Sequence, residues 1–170
     1  TPHAHRPSRL RRSAGHRAAG QVPRLTDTHA KGLAQLLRVN GRLGCLSLAG
    51  NDVTADGAEA LGKALRGKYN DQLASLDLSA NLLGAGGAAA LGEALESNAA
   101  LKELKLNQCG LGDADCEALA KGLKGNTALT SLHLGGNSLR PDGCAALAHA
   151  LARNGTLQSL QLAKNCVGNE

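Results

Sequence analysis

The stretch that decides the fold is residues 129–154, LTSLHLGGNSLRPDGCAALAHALARN. Its first half has apolar residues spaced L-x-x-L-x-L from Leu129 to Leu134, which is typical of a short strand and its entry turn. Its second half, from Ala145 to Leu151, repeats small and apolar residues at helical spacing. One strand followed by one helix cannot bury its own apolar face, so this stretch needs copies of itself on either side.

Copies of this stretch fill most of the chain. The later copies start at equal intervals, at Leu73, Leu101, Leu129 and Leu157. An early copy begins at Leu43, and its interval to Leu73 is longer than the others by a two-residue insertion, which we place in residues 68–72. Residues 27–37 match a helix without its strand, and residues 157–170 match a strand and turn without their helix. The sequence therefore predicts a stacked array that is cut inside a repeat at both ends.

These copies share the pattern L-x-x-L-x-L-x-x-N/C-x-L-x-x-x-G-(A/C)-x-A-L-x-x-A-L-x-x-N. The pattern resembles the ribonuclease-inhibitor type of leucine-rich repeat, which is also found in Ran GTPase-activating proteins and NLR immune receptors. The wording of residues 81–106 is most similar to NLRC3-like repeats. The resemblance covers residues 25–170 and implies an α/β right-handed solenoid in the form of a horseshoe arc. Parallel strands would line its concave face and helices its convex face.

The same pattern places the individual elements. Strands are expected at residues 43–48, 73–78, 101–106, 129–134 and 157–162, and later helices at about 86–96, 114–124 and 142–152. Thr26 or Asp27 is expected to cap a first helix. That helix is predicted to point three leucines inward, which are Leu33, Leu36 and Leu37.

The start of each later helix has glycine or aspartate at one common position. Gly57, Gly87 and Gly143 share this position, and Asp115 replaces them in the remaining copy. Glycine would let the helix start pack closely against its neighbour. The aspartates that precede two of these glycines are suited to the first-turn amides. They are Asp56 and Asp142.

A polar residue follows each predicted strand where the chain turns away. It is Cys109 in one copy and asparagine in the other four, Asn51, Asn81, Asn137 and Asn165. A buried side-chain amide offers two donors and an acceptor to backbone groups at the strand end, and a thiol replaces it only in part. We therefore expect these asparagines to form a structural ladder rather than a functional site.

The composition agrees with a solenoid and separates a basic leader from the array. Aromatic residues make up 1% of the chain, so the core must be built from Leu, Ala and Val. The formal net charge of +5 comes from residues 1–24, which include six Arg and no acidic residue. The remainder has 13 basic and 14 acidic residues, which is not the charge distribution of a nucleic-acid-binding domain. No stretch approaches the roughly 20 apolar residues of a membrane span.

Two further expectations concern the ends and the compartment. Residues 1–24 are predicted to be a disordered basic tail, and residues 25–170 the repeat array. An organelle transit peptide is the alternative for the tail, although its serine content is low. The five cysteines occupy repeat positions rather than the spacings of a disulfide framework. Reduced thiols, and with them a cytoplasmic or nuclear location, are therefore expected.

No arrangement of residues in the sequence indicates catalysis. His133 lies beside Ser131 on a predicted strand, but no acidic residue stands at a partner position in the same copy, and no oxyanion donor can be named. The segment 84–87 lacks the lysine of a phosphate-binding loop. The cysteines form no C-x-x-C pair of a zinc site. The sequence predicts a protein that is not an enzyme and holds no cofactor or metal.

The remaining candidate is the inner face of the sheet. Side chains alternate along a strand, so the positions between the leucines point to this face. The candidate partner-binding residues are Asp77, Glu103, Lys105, His133 and Gln161. The turn positions beside them are Asn107, Gln108 and Lys164. The face has no aromatic or Arg anchor, so affinity would come from area and charge pairing.

These observations predict a non-enzymatic protein-interaction module, an NLRC3-like scaffold that binds an unidentified protein and neither nucleic acid nor membrane. One alternative is a regulator that acts as a GTPase activator or a ribonuclease inhibitor. Another is a truncated repeat fragment without independent function. In that case the apolar end would expose Leu157, Leu160, Leu162 and Val167 and favour self-association.

Overall fold

The structure is a computed structural model that describes residues 23–67 and 70–166. The predicted basic tail therefore lies outside the described residues except for its last two positions, and the predicted insertion lies outside them in part. Helices and strands alternate strictly along the described residues. In chain order the elements are α1 (Asp27–Leu37), β1 (Cys45–Ser47), α2 (Ala55–Leu65), β2 (Ser75–Asp77), α3 (Gly84–Ser97), β3 (Glu103–Lys105), α4 (Asp113–Gly125), β4 (Ser131–His133), α5 (Pro141–Leu151) and β5 (Ser159–Gln161).

The strands form one parallel sheet in the order β1 to β5. Residues at the same repeat position pair directly, as Lys105 does with His133. Each strand has three residues instead of the predicted six. Backbone hydrogen bonds between copies nevertheless continue past the strands. One such bond joins the Gly50 N–H to the Ser79 carbonyl at 2.8 Å.

The core lies between the sheet and a row of helices. Each helix packs against the helices before and after it in the chain. The central leucines of β2, β3 and β4 are fully buried, and they are Leu76, Leu104 and Leu132. Packed helices are about 8–10 Å apart, whereas paired strands are about 4.8 Å apart. The helical side of the array is therefore longer, and the sheet lines the concave side. The predicted α/β solenoid is confirmed.

The predicted asparagine ladder is also confirmed. The Asn81 side-chain amide donates to the Leu48 carbonyl of the preceding copy at 2.8 Å and to the Leu78 carbonyl of its own copy at 2.9 Å. Its oxygen accepts the Val53 N–H at 2.9 Å. Cys109 reproduces only part of this set, because its thiol donates to the Leu78 carbonyl at 3.3 Å. Burial raises the pKa of the Cys109 thiol to about 11, so the thiol keeps its proton and acts as a donor.

A second asparagine ladder closes the helices, and the sequence analysis missed it. The Asn126 side-chain amide donates to the carbonyls of Leu95 and Asn98 at 2.7 and 3.0 Å. Its oxygen accepts the N–H groups of Ala128 and Leu129 at 2.9 and 2.7 Å. The oxygen of Asn40, Asn70, Asn98 and Asn154 accepts N–H groups at the start of the next strand in the same way. This ladder ties the end of each helix to the strand that follows.

Two helices are capped by an aspartate from the preceding copy. Asp27 Oδ1 accepts the N–H groups of Thr54 and Gly57, at 2.7 and 3.1 Å, at the start of α2. Asp113 Oδ1 does the same for α5, where the last donor is Gly143 at 3.0 Å. A Cβ added at either glycine would lie within 2.6 Å of this carboxylate oxygen, so the cap requires glycine there. The predicted glycine position thus serves a cap that comes from another copy.

Asp56 and Asp142 lie in the first turns of α2 and α5, where their negative charge suits the helix amino ends. The hydrogen bonds to the first-turn amides come instead from Asp27 and Asp113 of the preceding copies, and Asp56 lies 3.2 Å from Lys31. Thr26 is the N-cap residue of α1, which confirms one of the two predicted residues. Leu36 was predicted to point inward but is 59% exposed, since among residues 23–67 and 70–166 only α2 packs against α1.

The starts of α3 and α4 lack this cap. In α4 the preceding copy has Ala85, and Asp115 of the helix itself accepts the Gly112 N–H at 2.9 Å. In α3 the preceding copy has Ala55, the glycine position is Gly87, and no carboxylate is present at either place. Leu83, before α3, has helical dihedrals where the N-caps of α2, α4 and α5 are extended.

We predict that Ala55→Asp stabilises the chain by about 1 kcal/mol. The new carboxylate would face the first turn of α3, where Gly87 leaves room for it. Ala85→Asp is the matched control, because Asp115 already fills the corresponding space in α4 and two carboxylates would repel each other there. Urea unfolding followed by circular dichroism measures both variants. A gain in Ala85→Asp that equals the gain in Ala55→Asp would contradict this account of the caps.

We also predict that the two kinds of ladder residue are not interchangeable. Asn137→Cys would leave the N–H groups of Cys109 and Leu111 without the oxygen that now accepts them at 2.8 and 3.2 Å. The expected loss in the free energy of unfolding is about 1–3 kcal/mol. Cys109→Asn should be neutral or stabilising by up to about 1 kcal/mol. Equal and small effects of both exchanges, measured by thermal and urea unfolding, would show that the ladder is not a major source of stability.

Candidate partner-binding face

The concave side of the sheet carries the polar residues that flank each central leucine, and we call it the strand face. Its members in β2 to β5 are Ser75, Asp77, Glu103, Lys105, Ser131, His133, Ser159 and Gln161. They are half-buried or exposed, whereas the leucines between them point into the core. The alternation of side chains along a strand explains this placement. The predicted position of all five candidate residues on one face is confirmed, and their role in binding stays a prediction.

Glu103 is the centre of this face. Its Oε2 accepts a hydrogen bond from the Ser75 hydroxyl at 2.8 Å. Its Oε1 lies 3.3 Å from Lys105 Nζ and 3.4 Å from His133 Nε2. One carboxylate thus connects side chains of three adjacent strands, and its contacts fix the position of the cation beside it.

His133 extends the network to the last strand. Its Nδ1 lies 2.9 Å from the Gln161 side-chain oxygen, and its Nε2 lies 2.9 Å from the Ser131 hydroxyl. An amide oxygen only accepts, so Nδ1 carries a proton, and in the neutral ring Nε2 accepts from Ser131. Four of the five candidate residues therefore belong to one network of hydrogen bonds and close polar contacts. Asp77, the fifth, accepts the Ser79 N–H at 2.9 Å and stands in register with Lys105.

This network does not have the geometry of a nucleophilic triad. A catalytic histidine takes the nucleophile on one ring nitrogen and the orienting carboxylate on the other. Here Ser131 and Glu103 both approach Nε2, and Nδ1 faces the neutral amide of Gln161. The arrangement does not support proton relay. It presents fixed charges and hydrogen-bonding groups on an open sheet.

The electrostatics keep Glu103 ionised. The hydrogen bond from Ser75 lowers the pKa of Glu103, partial burial raises it, and Lys105 lowers it further, so that the pKa lies below its ordinary value. The carboxylate is therefore charged throughout the neutral range. The side chains of Glu103 and Lys105 remain about one third exposed, so both charges can be reached from solution.

The turn positions next to the strand face divide into structural and exposed residues. Asn107 accepts the Gly135 N–H at 2.8 Å and so has a structural role. Gln108 and Lys164 are exposed, and both adopt positive φ angles, of 54° and 59°. With Gln161 they line a shallow depression of about 260 Å³ at the carboxyl ends of β3 to β5.

The described part of the chain was also compared with the requirements of a metal site, a disulfide and a membrane-spanning helix. Residues 23–67 and 70–166 contain no group of three His, Cys, Asp or Glu side chains that could hold a metal ion. The five cysteines are free thiols. Burial raises the pKa of Cys116 to about 12, and the nearby carboxylates of Asp115 and Asp113 add to the effect. No helix among the described residues has the length and apolar character needed to cross a bilayer.

The central role of Glu103 was missed at the level of sequence. An acidic partner for His133 was expected only within the same copy, but Glu103 belongs to the copy before. The repeat length contains the missing information, because Glu103 and Ser131 occupy the same position of successive copies and pair in register. A search across neighbouring copies would have placed Glu103 beside the Ser131 and His133 strand.

The fold and its polar face define a solenoid of the leucine-rich repeat class. The "Leucine Rich repeat" family matches residues 43–62, 97–120, 125–148 and 153–170, about half of the chain. The chain belongs to this family. No curated protein matches the chain.

Solved structures give a more distant comparison. The chain is similar to a structure of "Leiomodin-1 Actin-Binding Site 2", with 25% sequence identity and a TM-score of 0.52. The match covers 67% of this chain and 65% of the leiomodin chain, so this chain spans less than two thirds of that structure. The similarity extends the repeat architecture to a protein whose name assigns it an actin-binding site.

The lowered pKa of Glu103 predicts a pH dependence of stability. Because the folded-state pKa lies below the unfolded-state value, the unfolded state binds more protons in acid, and the contribution of Glu103 is complete above about pH 4.3 and is lost as the pH falls below it. Glu103→Gln should lower the free energy of unfolding at pH 7 by under about 1 kcal/mol. Its difference from the wild type should shrink between about pH 5 and pH 3. Urea unfolding across this range is the measurement, and a constant difference would contradict the assignment.

Proposed function

We propose that this chain is a non-enzymatic protein-interaction module and that the strand face binds its partner. The observation that carries the proposal is the network around Glu103. It holds one anion and one cation in fixed positions on an open sheet, with Asp77 beside them in the adjacent strand. Fixed charges discriminate between partners because a complementary surface gains from them and a mismatched one loses.

The chemistry of the face describes the partner. Asp77, Glu103 and Lys105 place both signs of charge close together on β2 and β3, so the partner needs both signs of charge in a matching pattern. No aromatic or arginine side chain lies on the strands of this face to act as an anchor. Binding should therefore depend on a broad contact and on charge pairing, and it should weaken as salt screens the charges.

The finer type of the array is part of the proposal. We propose that it belongs to the ribonuclease-inhibitor type and is most similar to NLRC3-like repeats. The support is the even spacing of the later copies and the full helix of three or more turns in each of them. We also propose a cytoplasmic location, which the free cysteines at repeat positions favour over an oxidising compartment.

Actin is the first partner to test. The similarity to a leiomodin actin-binding site supports this choice, and the mixed charges of the strand face supply the contacts. Purified chain is mixed with labelled monomeric actin, and binding is followed by fluorescence anisotropy at low and at moderate salt. In parallel, immobilised chain captures partners from cell extract, and bound proteins are identified by mass spectrometry.

The decisive comparison is between two triple variants. Asp77→Ala/Glu103→Ala/Lys105→Ala removes the charged centre of the strand face and should weaken binding of actin or of the captured partner at least tenfold, or about 1.4 kcal/mol. The control Glu59→Ala/Lys63→Ala/Glu96→Ala removes the same kinds of charge from exposed helix positions and should change binding less than twofold. Both variants are checked for folding by circular dichroism.

Equal binding by the two triple variants would reject the strand face as the binding site. The same preparations are assayed for acceleration of GTP hydrolysis by Ran and for inhibition of pancreatic-type ribonuclease. A positive result in either assay would replace the proposal by a regulatory function.

A further inference from the structure

A groove on the opposite side of the array lies between α4 and α5. It has a volume of about 480 Å³. Its floor consists of small side chains, with Ala120 and Ala150 buried and Ala146 half-buried. Exposed basic side chains from both helices and from the turn after α5 stand along its rim, and they are Lys121, Lys124, His149 and Arg153.

The cations of this groove are not matched by carboxylates. Glu117 is the one acidic residue that lines the groove. It precedes Lys121 by one helical turn, but no ion pair within 4 Å involves Glu117, Lys121, Lys124 or Arg153 among residues 23–67 and 70–166. Three full positive charges thus face solvent around an apolar floor, with one negative charge among them.

The equivalent groove between α1 and α2 provides an internal comparison. It has a similar volume, about 440 Å³, and an alanine floor. Its lysines are paired, because Lys31 lies 3.2 Å from Asp56 and Lys63 contacts Glu59. The α4–α5 groove therefore differs from the α1–α2 groove in the unpaired lysines along its rim.

Helix capping does not account for these cations. Basic residues near a helix carboxyl end often serve its unpaired carbonyls. At the end of α4 the Leu123 carbonyl already accepts the side-chain amide of Asn154 at 2.7 Å. The Asn126 carbonyl accepts the same amide at 2.9 Å. The second asparagine ladder performs the capping, and the lysines and arginine remain free to bind an external group.

We propose that the α4–α5 groove binds an acidic peptide segment, with its carboxylates on the rim and small apolar side chains on the alanine floor. A protein segment fits better than nucleic acid because the repeat array has a net charge near zero and its helical groove offers no aromatic side chain on which a base could stack. This site is separate from the strand face. The groove would give the module a second binding site, with unpaired positive charges where the strand face has paired charges of both signs.

The probe is a fluorescein-labelled helical peptide of about 18 residues, with glutamate at every fourth position and alanine and leucine between. Anisotropy titration of the full chain should show saturable binding. The dissociation constant should rise at least tenfold when the salt concentration increases from about 50 to about 300 mM. A peptide with glutamine in place of every glutamate should bind at least tenfold more weakly.

Two charge-reversal variants locate the site. Lys121→Glu/Arg153→Glu reverses the charge on both sides of the α4–α5 groove and should weaken peptide binding at least tenfold. Lys31→Glu/Lys63→Glu makes the same change in the α1–α2 groove and should leave the dissociation constant within twofold of the wild type. All four positions are exposed, and circular dichroism verifies that both variants fold.

Several outcomes would overturn the proposal. They are the absence of saturable binding at low salt, equal weakening by the two reversals, and binding of a single-stranded oligonucleotide of the same net charge as tightly as the peptide. The strand-face variant Asp77→Ala/Glu103→Ala/Lys105→Ala should bind the peptide as the wild type does. A failure of the groove is thereby distinguished from a failure of the strand face.

Discussion

The structure depends on hydrogen bonds between asparagine side chains and the carbonyl groups that are left open wherever the chain turns between strand and helix. A strand of three residues satisfies little of its own backbone, so a repeat this short leaves many donors and acceptors at its corners. Asn81 and Asn126 show the solution at the two corners, where one amide serves groups of two adjacent copies. Leucine burial drives the stacking, and these amides satisfy the backbone groups that stacking would otherwise bury without partners.

The sequence predicted the order of elements, the spacing of the copies and the face on which polar residues lie, because each follows from a period that the leucines repeat. It did not predict contacts that cross from one copy to the next. Asp27 was expected to cap its own helix, but it caps the following one, and Asp113 does the same for α5. Glu103 was not connected with His133 for the same reason. The exposure of Leu36 depends on what stands beside α1, which a pattern within one helix does not contain.

The two sides of the array use charge in different ways. On the concave side Glu103 is surrounded by its partners, and its hydrogen bonds hold a mixed pattern of charges in place. On the convex side no ion pair within 4 Å involves Lys121, Lys124 or Arg153 in the described part of the chain, and the asparagine ladder already satisfies the Leu123 carbonyl at the end of α4. Charges that are held in place by partners favour selectivity, whereas unpaired charges attract an oppositely charged partner from a distance. The module thus combines both properties on one small scaffold.

The aspartate of one copy and the glycine of the next together form one helix cap, so each cap needs residues from two adjacent copies. Asp27 pairs with Gly57, and Asp113 pairs with Gly143. Before α4, alanine (Ala85) replaces the aspartate and Asp115 replaces the glycine, so the carboxylate lies within the helix that it caps. A copy moved to another place in the row would carry half of this cap to a neighbour that lacks the other half. The copies share the same leucine positions, but the contacts between adjacent copies differ. Recombination that reorders the copies would therefore separate some aspartates from the glycines that they need.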